Sequence, residues 1–311
     1  MSSLQDALAD YLTLRRALGY KLFEDGQALE HFVVFVEQAG STHITTELAV
    51  RWATRSSRAS TTHQAHQLSR IRLFAEYLSG IDPQTQIPPR GLLPGHYQRQ
   101  TPYIYSEHQI CDLVSAARQL PSATGLRACT YATLFGLLAV TGLRISEAIA
   151  LDCDDVDLGE RVLLVRQSKF AKDRLVPIHS STAGVLDEYV AMRSRCHPHP
   201  SSHAFFLAER GTRLTDCMAR HTFILLSRCT GLRAPGDHHG PRMHDLRHTF
   251  AVTTVQHWYQ VGLDVDVQMP WLATFLGHSH VSDTYWYLSA VPQLMAQAGA
   301  RLDLKLGGPA S

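Results

Sequence analysis

The sequence predicts a mainly α-helical protein of two domains, the second carrying one small antiparallel sheet. Three observations predict it. Apolar residues recur at helical spacing from residue 3 to 80 and again from 107 onward. Pro83, Pro88, Pro89, Gly91, Pro94, Gly95 and Pro102 then interrupt that pattern with few apolar pairs between them. Only two short runs, Val162–Val165 and Leu175–Ile178, are rich enough in β-branched residues to read as strands.

In the first domain, assigned to 1–85, Leu8, Tyr11, Leu12 and Leu14 precede Leu29, Phe32, Val33, Phe35 and Val36 at helical intervals. Two more amphipathic segments run over 46–55 and 61–78, the last with Leu68, Ile71, Phe74, Ala75 and Leu78 on one face and Arg70 mostly opposite. The breaks Gly40-Ser-Thr and Ser56–Thr62 separate them, and the set reads as a four-helix bundle. A linker is expected over 86–103. The second domain, 104–290, opens at Ser106, a helix N-cap, with helices at 107–118, 124–141 and 144–150. The strand pair flanks the polar turn 167–174 as a hairpin, and helices resume at 180–194, 215–229, 244–259, 269–277 and 281–287. The tail 291–311 is expected to hold one short helix before Gly307-Gly-Pro.

Composition narrows the class. A chain of 311 residues, 45% apolar, has room for two cores. No apolar run approaches the roughly 20 residues that span a bilayer, and the start lacks a basic segment followed by an apolar one, so a cytoplasmic location is expected. The six cysteines are scattered and read as free thiols; the stretch Cys196–His203 has two prolines and irregular ligand spacing, which suits a loop rather than a metal site. Net charge is only +1, yet it is unevenly spread. Residues 1–50 hold three Lys/Arg against seven Asp/Glu, and residues 51–99 hold seven arginines against Glu76 and Asp82. A basic face of that kind suits a polyanion, as it also suits a solvated helix.

The chemistry-bearing residues lie in the second domain. Arg144 follows Thr141-Gly-Leu at a helix start, where free amides favour an anion. His244 and Arg247, three apart on one helix, share a face, with Asp245 about 100° away as an N-terminal capping partner. His278 follows Leu276-Gly277, the glycine permitting close backbone approach. Tyr285-Trp286-Tyr287 comes next, and two residues on a helix differ by about 200°, so only one tyrosine faces a common pocket. Guanidiniums clamp a phosphate, imidazoles handle protons and a phenol oxygen attacks phosphorus. Singly, each residue also suits a solvated helix face; in combination they suit covalent phosphoryl transfer.

Three stretches, Thr141–Leu151, His244–Ala251 and Leu276–Ser279 followed by a tyrosine, resemble the tyrosine recombinases of the phage-integrase superfamily in order and spacing. Gln167–Pro177 resembles that family's hairpin, whose turn carries a catalytic lysine. The resemblance covers about 105–290; the N-terminal bundle matches the family's SAM-like core-binding domain in length and helix content alone. It implies a site-specific DNA recombinase forming a 3′-phosphotyrosine intermediate, in integration, transposition or recombination at large, with no metal or other cofactor. It implies that Arg144 and Arg247 hold the scissile phosphate, that Lys169 protonates the leaving 5′-hydroxyl with Lys172 as its competitor, and that His244 and His278 move protons or donate to the phosphate. Glu147 would orient the pocket. The family's nucleophile lies nine residues after the Leu-Gly-His histidine, which selects Tyr287 over Tyr285.

The implied partners are double-stranded DNA bearing a recombination site, three further copies of the chain on that DNA with the tail docking on a neighbour, and accessory recombinases; a nucleoid location follows. Arg51, Arg55, Arg58, Arg70 and Arg72 are the DNA-binding candidates of the first domain. One departure stands out: Val255–Pro270 is several residues longer than is usual, which is expected to extend the 244–259 helix and the loop after it. Two other readings share these residues: a type IB topoisomerase-like nicking-closing enzyme, and a non-catalytic DNA-binding protein derived from a recombinase.

Overall fold

The structure, a computed structural model, describes residues 3–95, 101–166, 173–237 and 240–290. It divides into two compact units, residues 1–100 and 101–311. Lys169, Lys172 and the tail 291–311 lie outside the described residues.

In the first unit, Ser3 starts α1 (Leu4–Ala17) with a reciprocal cap: its hydroxyl accepts from the Asp6 amide at 3.1 Å and its own amide donates to the Asp6 carboxylate at 3.0 Å. α2 (Phe23–Gln38) follows, then α3 (Thr46–Ala53) and α4 (Thr61–Leu78), the last two capped by the hydroxyls of Thr45 and Ser60. One face of each helix builds a single core around Tyr11, Phe32, Trp52, Ile71 and Phe74. Two residues of the expected apolar stripe leave it. Leu14 is exposed, because it stands about 200° round the helix from buried Leu12. Phe35 is half-buried, with the Arg51 guanidinium 5.2 Å above its ring.

The second unit is organised around α6 (Leu126–Thr141), which is buried on nearly all sides and packs against α5 (Glu107–Arg118), α8 (Ser180–Cys196) and α10 (His244–Gln260). Its N-terminus begins at Gly125 without a side-chain cap of its own. Glu209, from far along the chain, supplies one: its carboxylate accepts from the amides of Thr124 (3.0 Å) and Arg127 (2.9 Å) and from the hydroxyls of Ser122 (2.6 Å) and Thr124 (2.7 Å). Burial raises the Glu209 pKa, but these bonds outweigh it and hold the carboxyl at about 2. At the other end Gly142 is left-handed (φ 62°), and a Cβ there would lie 2.6 Å from the Phe250 ring. The chain turns sharply and delivers Arg144 to the start of α7 (Ile145–Ala150).

The hairpin is found as β2 (Val162–Val165) paired antiparallel with β3 (Arg174–Pro177), Val165 opposite Arg174. A short strand β1 (Val156–Asp157), unanticipated because two residues carry no periodicity, completes a three-stranded sheet in the order β1-β2-β3. After α8 and α9 (Asp216–Cys229), α10 runs to Gln260, one residue beyond expectation.

The next helix departs more. α11 (Val265–Leu276) starts four residues early, capped by Asp264, whose carboxylate accepts from the Asp266 amide at 3.1 Å, and it runs through Pro270. The long stretch before His278 is thus mostly helix, and the loop is short. α12 (Ser282–Ala290) closes the fold, with Tyr287 packed beside α10 and α11 residues such as Val252 and Met269. Among the described residues no helix is long and apolar enough to cross a membrane.

Candidate active site

Three separate stretches of chain meet at the C-terminal end of α11. Its last carbonyls point out of the helix without intrahelical donors, and each takes an arginine from a different element. Arg174 Nε donates to Phe275 O (2.9 Å), Arg247 Nη2 to Leu276 O (2.6 Å) and Arg144 Nη2 to Gly277 O (3.3 Å). Arg247, 2% exposed, also donates from Nη1 to Gly142 O at 2.8 Å, which locks α10 to the turn after α6. Gly277 itself is left-handed (φ 67°), the conformation that lets its carbonyl and the following His278 face the arginines.

Glu147 balances this charge. Arg144 and Arg174 share its carboxylate: Arg144 donates its backbone amide (2.9 Å) and Nη1 (2.7 Å), and Arg174 donates Nη1 (3.0 Å) and Nη2 (2.8 Å). Burial raises the Glu147 pKa, but the Arg174 bond and charge, joined by Arg144, hold it at about 2. Two guanidiniums therefore meet one carboxylate, with Arg247 close by on backbone carbonyls. Burial and then the Arg144 charge lower Arg247 to about 10, so this cluster favours an incoming anion.

The histidines and tyrosines line up beside it. The His244 ring stacks edge-on against His248, centroids 4.7 Å apart. Crowding by protein, then the Arg247 charge, lowers the His244 pKa to about 4; its surface remains open, so water screens part of that effect. His278 Nδ1 lies 2.7 Å from the hydroxyl of fully buried Thr284, which fixes its ring. Tyr287 is 2% exposed, its hydroxyl 3.3 Å from His248 Nδ1 and its ring stacked on His278 at 6.2 Å. Tyr285 turns the other way, half-exposed, and donates to Asp266 at 3.1 Å near the far end of α11. Asp245 accepts from the Arg242 amide at 2.7 Å and guanidinium at 3.1 Å, closing the N-terminus of α10.

The structure thus brings together Arg144, Glu147, His244, Arg247, His278 and Tyr287. Sequence reasoning missed Arg174, His248 and Thr284. Arg174 stood two residues past Lys172 with no motif of its own, and His248 was hidden by its neighbour Arg247. Among the described residues no group of three or more His, Cys, Asp or Glu is placed to hold a metal. In the first unit, Arg51, Arg55 and Arg58 are exposed, Arg55 over the Trp52 ring at 4.2 Å. Arg70, on α4, is committed to an ion pair with Asp25 of α2. Arg72 donates to the carbonyls of Pro88 (2.7 Å) and Pro89 (3.0 Å) and holds the segment after α4 in place.

A helical unit in which three arginines, three histidines and a buried tyrosine converge defines a tyrosine-type site-specific recombinase. The chain belongs to the phage integrase family, whose model matches residues 105–293. It is 46% identical over 97% of its length to "Putative integrase/recombinase y4rB" of Sinorhizobium fredii strain NGR234, covering 98% of that protein. It is 30% identical to the tyrosine recombinase XerC of Herpetosiphon aurantiacus, covering 89% of this chain and 87% of that one. The fold is shared with the Tn1549 transposon integrase in complex with transposon right end DNA (TM-score 0.64, 17% identity, 90% of this chain and 94% of that chain). It is also shared with a lambda integrase tetramer bound to a Holliday junction (TM-score 0.60, 16% identity, 90% and 78%).

Proposed function

We propose that the chain breaks and rejoins DNA strands through Tyr287. One observation carries the reading: the Tyr287 hydroxyl lies 3.3 Å from His248 Nδ1 and its ring stacks on His278 beside the arginine cluster, whereas the Tyr285 hydroxyl is tied to Asp266. Arg144 and Arg247 would hold the non-bridging oxygens of the scissile phosphate, with bonds that strengthen as charge builds in the transition state. Attack by the phenol oxygen forms the 3′-phosphotyrosine bond and breaks the bond to the 5′-oxygen, which takes a proton from Lys169. His244, neutral at pH 7 in the free protein, accepts a proton from the phenol or donates to the phosphate, and His278 is a further donor.

Rejoining reverses these steps with no outside energy source. Arg51, Arg55 and Arg58 supply backbone contacts from the first unit. Four copies on two DNA sites, assembled on the nucleoid in the cytoplasm, complete the reading.

The test is covalent capture. The protein is incubated with sheared, nicked genomic DNA of its source organism and denatured, and DNA that remains attached is sequenced. Wild type and Tyr285→Phe should retain DNA with one shared sequence, and Tyr287→Phe none. An adduct persisting in Tyr287→Phe, or lost in Tyr285→Phe alone, overturns the assignment.

A further inference from the structure

Arg174 is the least explained charge in the site. It belongs to the hairpin strand β3, yet its guanidinium leaves the sheet and enters the arginine cluster, with its side chain only 9% exposed. All three of its nitrogens are used. Nη1 and Nη2 meet the two oxygens of Glu147 at 3.0 and 2.8 Å, and Nε meets Phe275 O at 2.9 Å. The fold makes room for it: a Cβ on Gly277 would lie 2.8 Å from Nη1 and 3.0 Å from the guanidinium carbon. A side chain so buried and so fully bonded is not a phosphate ligand. Its contacts are with the groups that set the phosphate ligands.

Glu147 shows what those contacts do. It is buried, and Arg144 is its other cationic partner. With Arg174 present, the carboxylate divides its charge between two guanidiniums. Without Arg174 the whole carboxylate would fall to Arg144, since a buried charge takes whatever partner remains. Arg144 would then be drawn into the ion pair and away from any third party. The C-terminus of α11, which leads into His278, would lose one of its three anchors at the same time.

We propose that Arg174 is a positioning residue for recombination: by sharing Glu147 it leaves Arg144 free to grip the scissile phosphate, and by bonding Phe275 O it fixes the chain entering His278. The proposal rests on the reading of Arg144 as a phosphate ligand. It says nothing of nucleophile choice, so the two fail separately.

The experiment uses the full chain and a nicked suicide duplex built on the sequence recovered by covalent capture. Single-turnover cleavage and DNA affinity are measured separately. Arg174→Met should bind within about threefold of wild type and cleave about 100-fold more slowly, the cost of misplacing one transition-state donor. Adding Glu147→Gln to Arg174→Met should restore cleavage at least about tenfold, because it removes the charge that captures Arg144.

A purely structural role predicts a loss that Glu147→Gln deepens, and that result overturns the proposal. Arg174→Lys keeps one charge without the fork and should lose about tenfold. Should Arg174→Met fail to fold, Arg174→Lys decides: cleavage equal to wild type refutes the idea. Failure of the wild type to form any adduct would instead refute the recombinase chemistry itself.

Discussion

Replacing Gly277 by alanine perturbs the site at one atom, and its cost follows from the geometry. The residue sits at φ 67°, ψ 45°, where an L side chain costs about 1–2 kcal/mol. The added Cβ would lie 2.8 Å from Arg174 Nη1, 3.0 Å from its guanidinium carbon and 3.2 Å from Nε. That guanidinium cannot simply swing aside, being held by Glu147 and Phe275 O. Giving up the bond to Phe275 O adds about 1.5 kcal/mol, the value for a charged donor, so the total is about 3 kcal/mol.

For a unit of this size each kcal/mol lowers Tm by roughly 2–4 °C, so a fall of about 6–12 °C is expected by circular dichroism. In an Arg174→Ala background only the backbone part remains, and the same substitution should cost about 1–2 kcal/mol. Equal Tm losses in the two backgrounds, or a loss under about 2 °C in the first, would refute the reasoning.

Four further expectations can be measured directly. Glu209→Gln should destabilise the second unit by about 2 kcal/mol, allowing for solvent screening at a half-buried carboxylate. Because the folded Glu209 pKa is about 2 against an ordinary 4.5, its contribution is present above pH 4.5 and lost as pH falls toward 2, so urea midpoints of variant and wild type should converge in acid. Parallel curves would sink this.

His244 has the opposite sense: lowered from 6.5 to about 4, it lets the unfolded chain take its proton first, so its burden on stability grows as pH falls from 6.5 to 4. An NMR titration of its ring with a midpoint above 6 in the free protein would contradict that environment. Removing Arg51, Arg55 or Arg58 singly should reduce the salt slope of DNA binding by about 1. Arg70→Ala should lower the first unit's stability and leave that slope unchanged; a reduced slope there would show that its pair with Asp25 opens on DNA.

The sequence by itself determined the helices, the hairpin and six residues that meet in the site. Those features are local: periodicity marks a helix face, caps mark its start, and His244 and Arg247 must share a face because they are three residues apart. Tertiary structure decided everything that depends on groups distant in the chain. Only the fold reveals that Arg144, Arg174 and Arg247 each find a carbonyl at the end of one helix, because helix ends expose acceptors whose partners no local pattern names.

The same holds for Glu209 as the cap of α6, and for the two tyrosines. Spacing placed Tyr285 and Tyr287 on opposite sides of a helix, but packing against α10 and α11 turned Tyr287 inward and left Tyr285 with Asp266. The long stretch before His278 was expected to lengthen the 244–259 helix and the loop after it; its second half became the first turns of α11 instead, because Asp264 caps it and Val265 and Met269 bury their side chains.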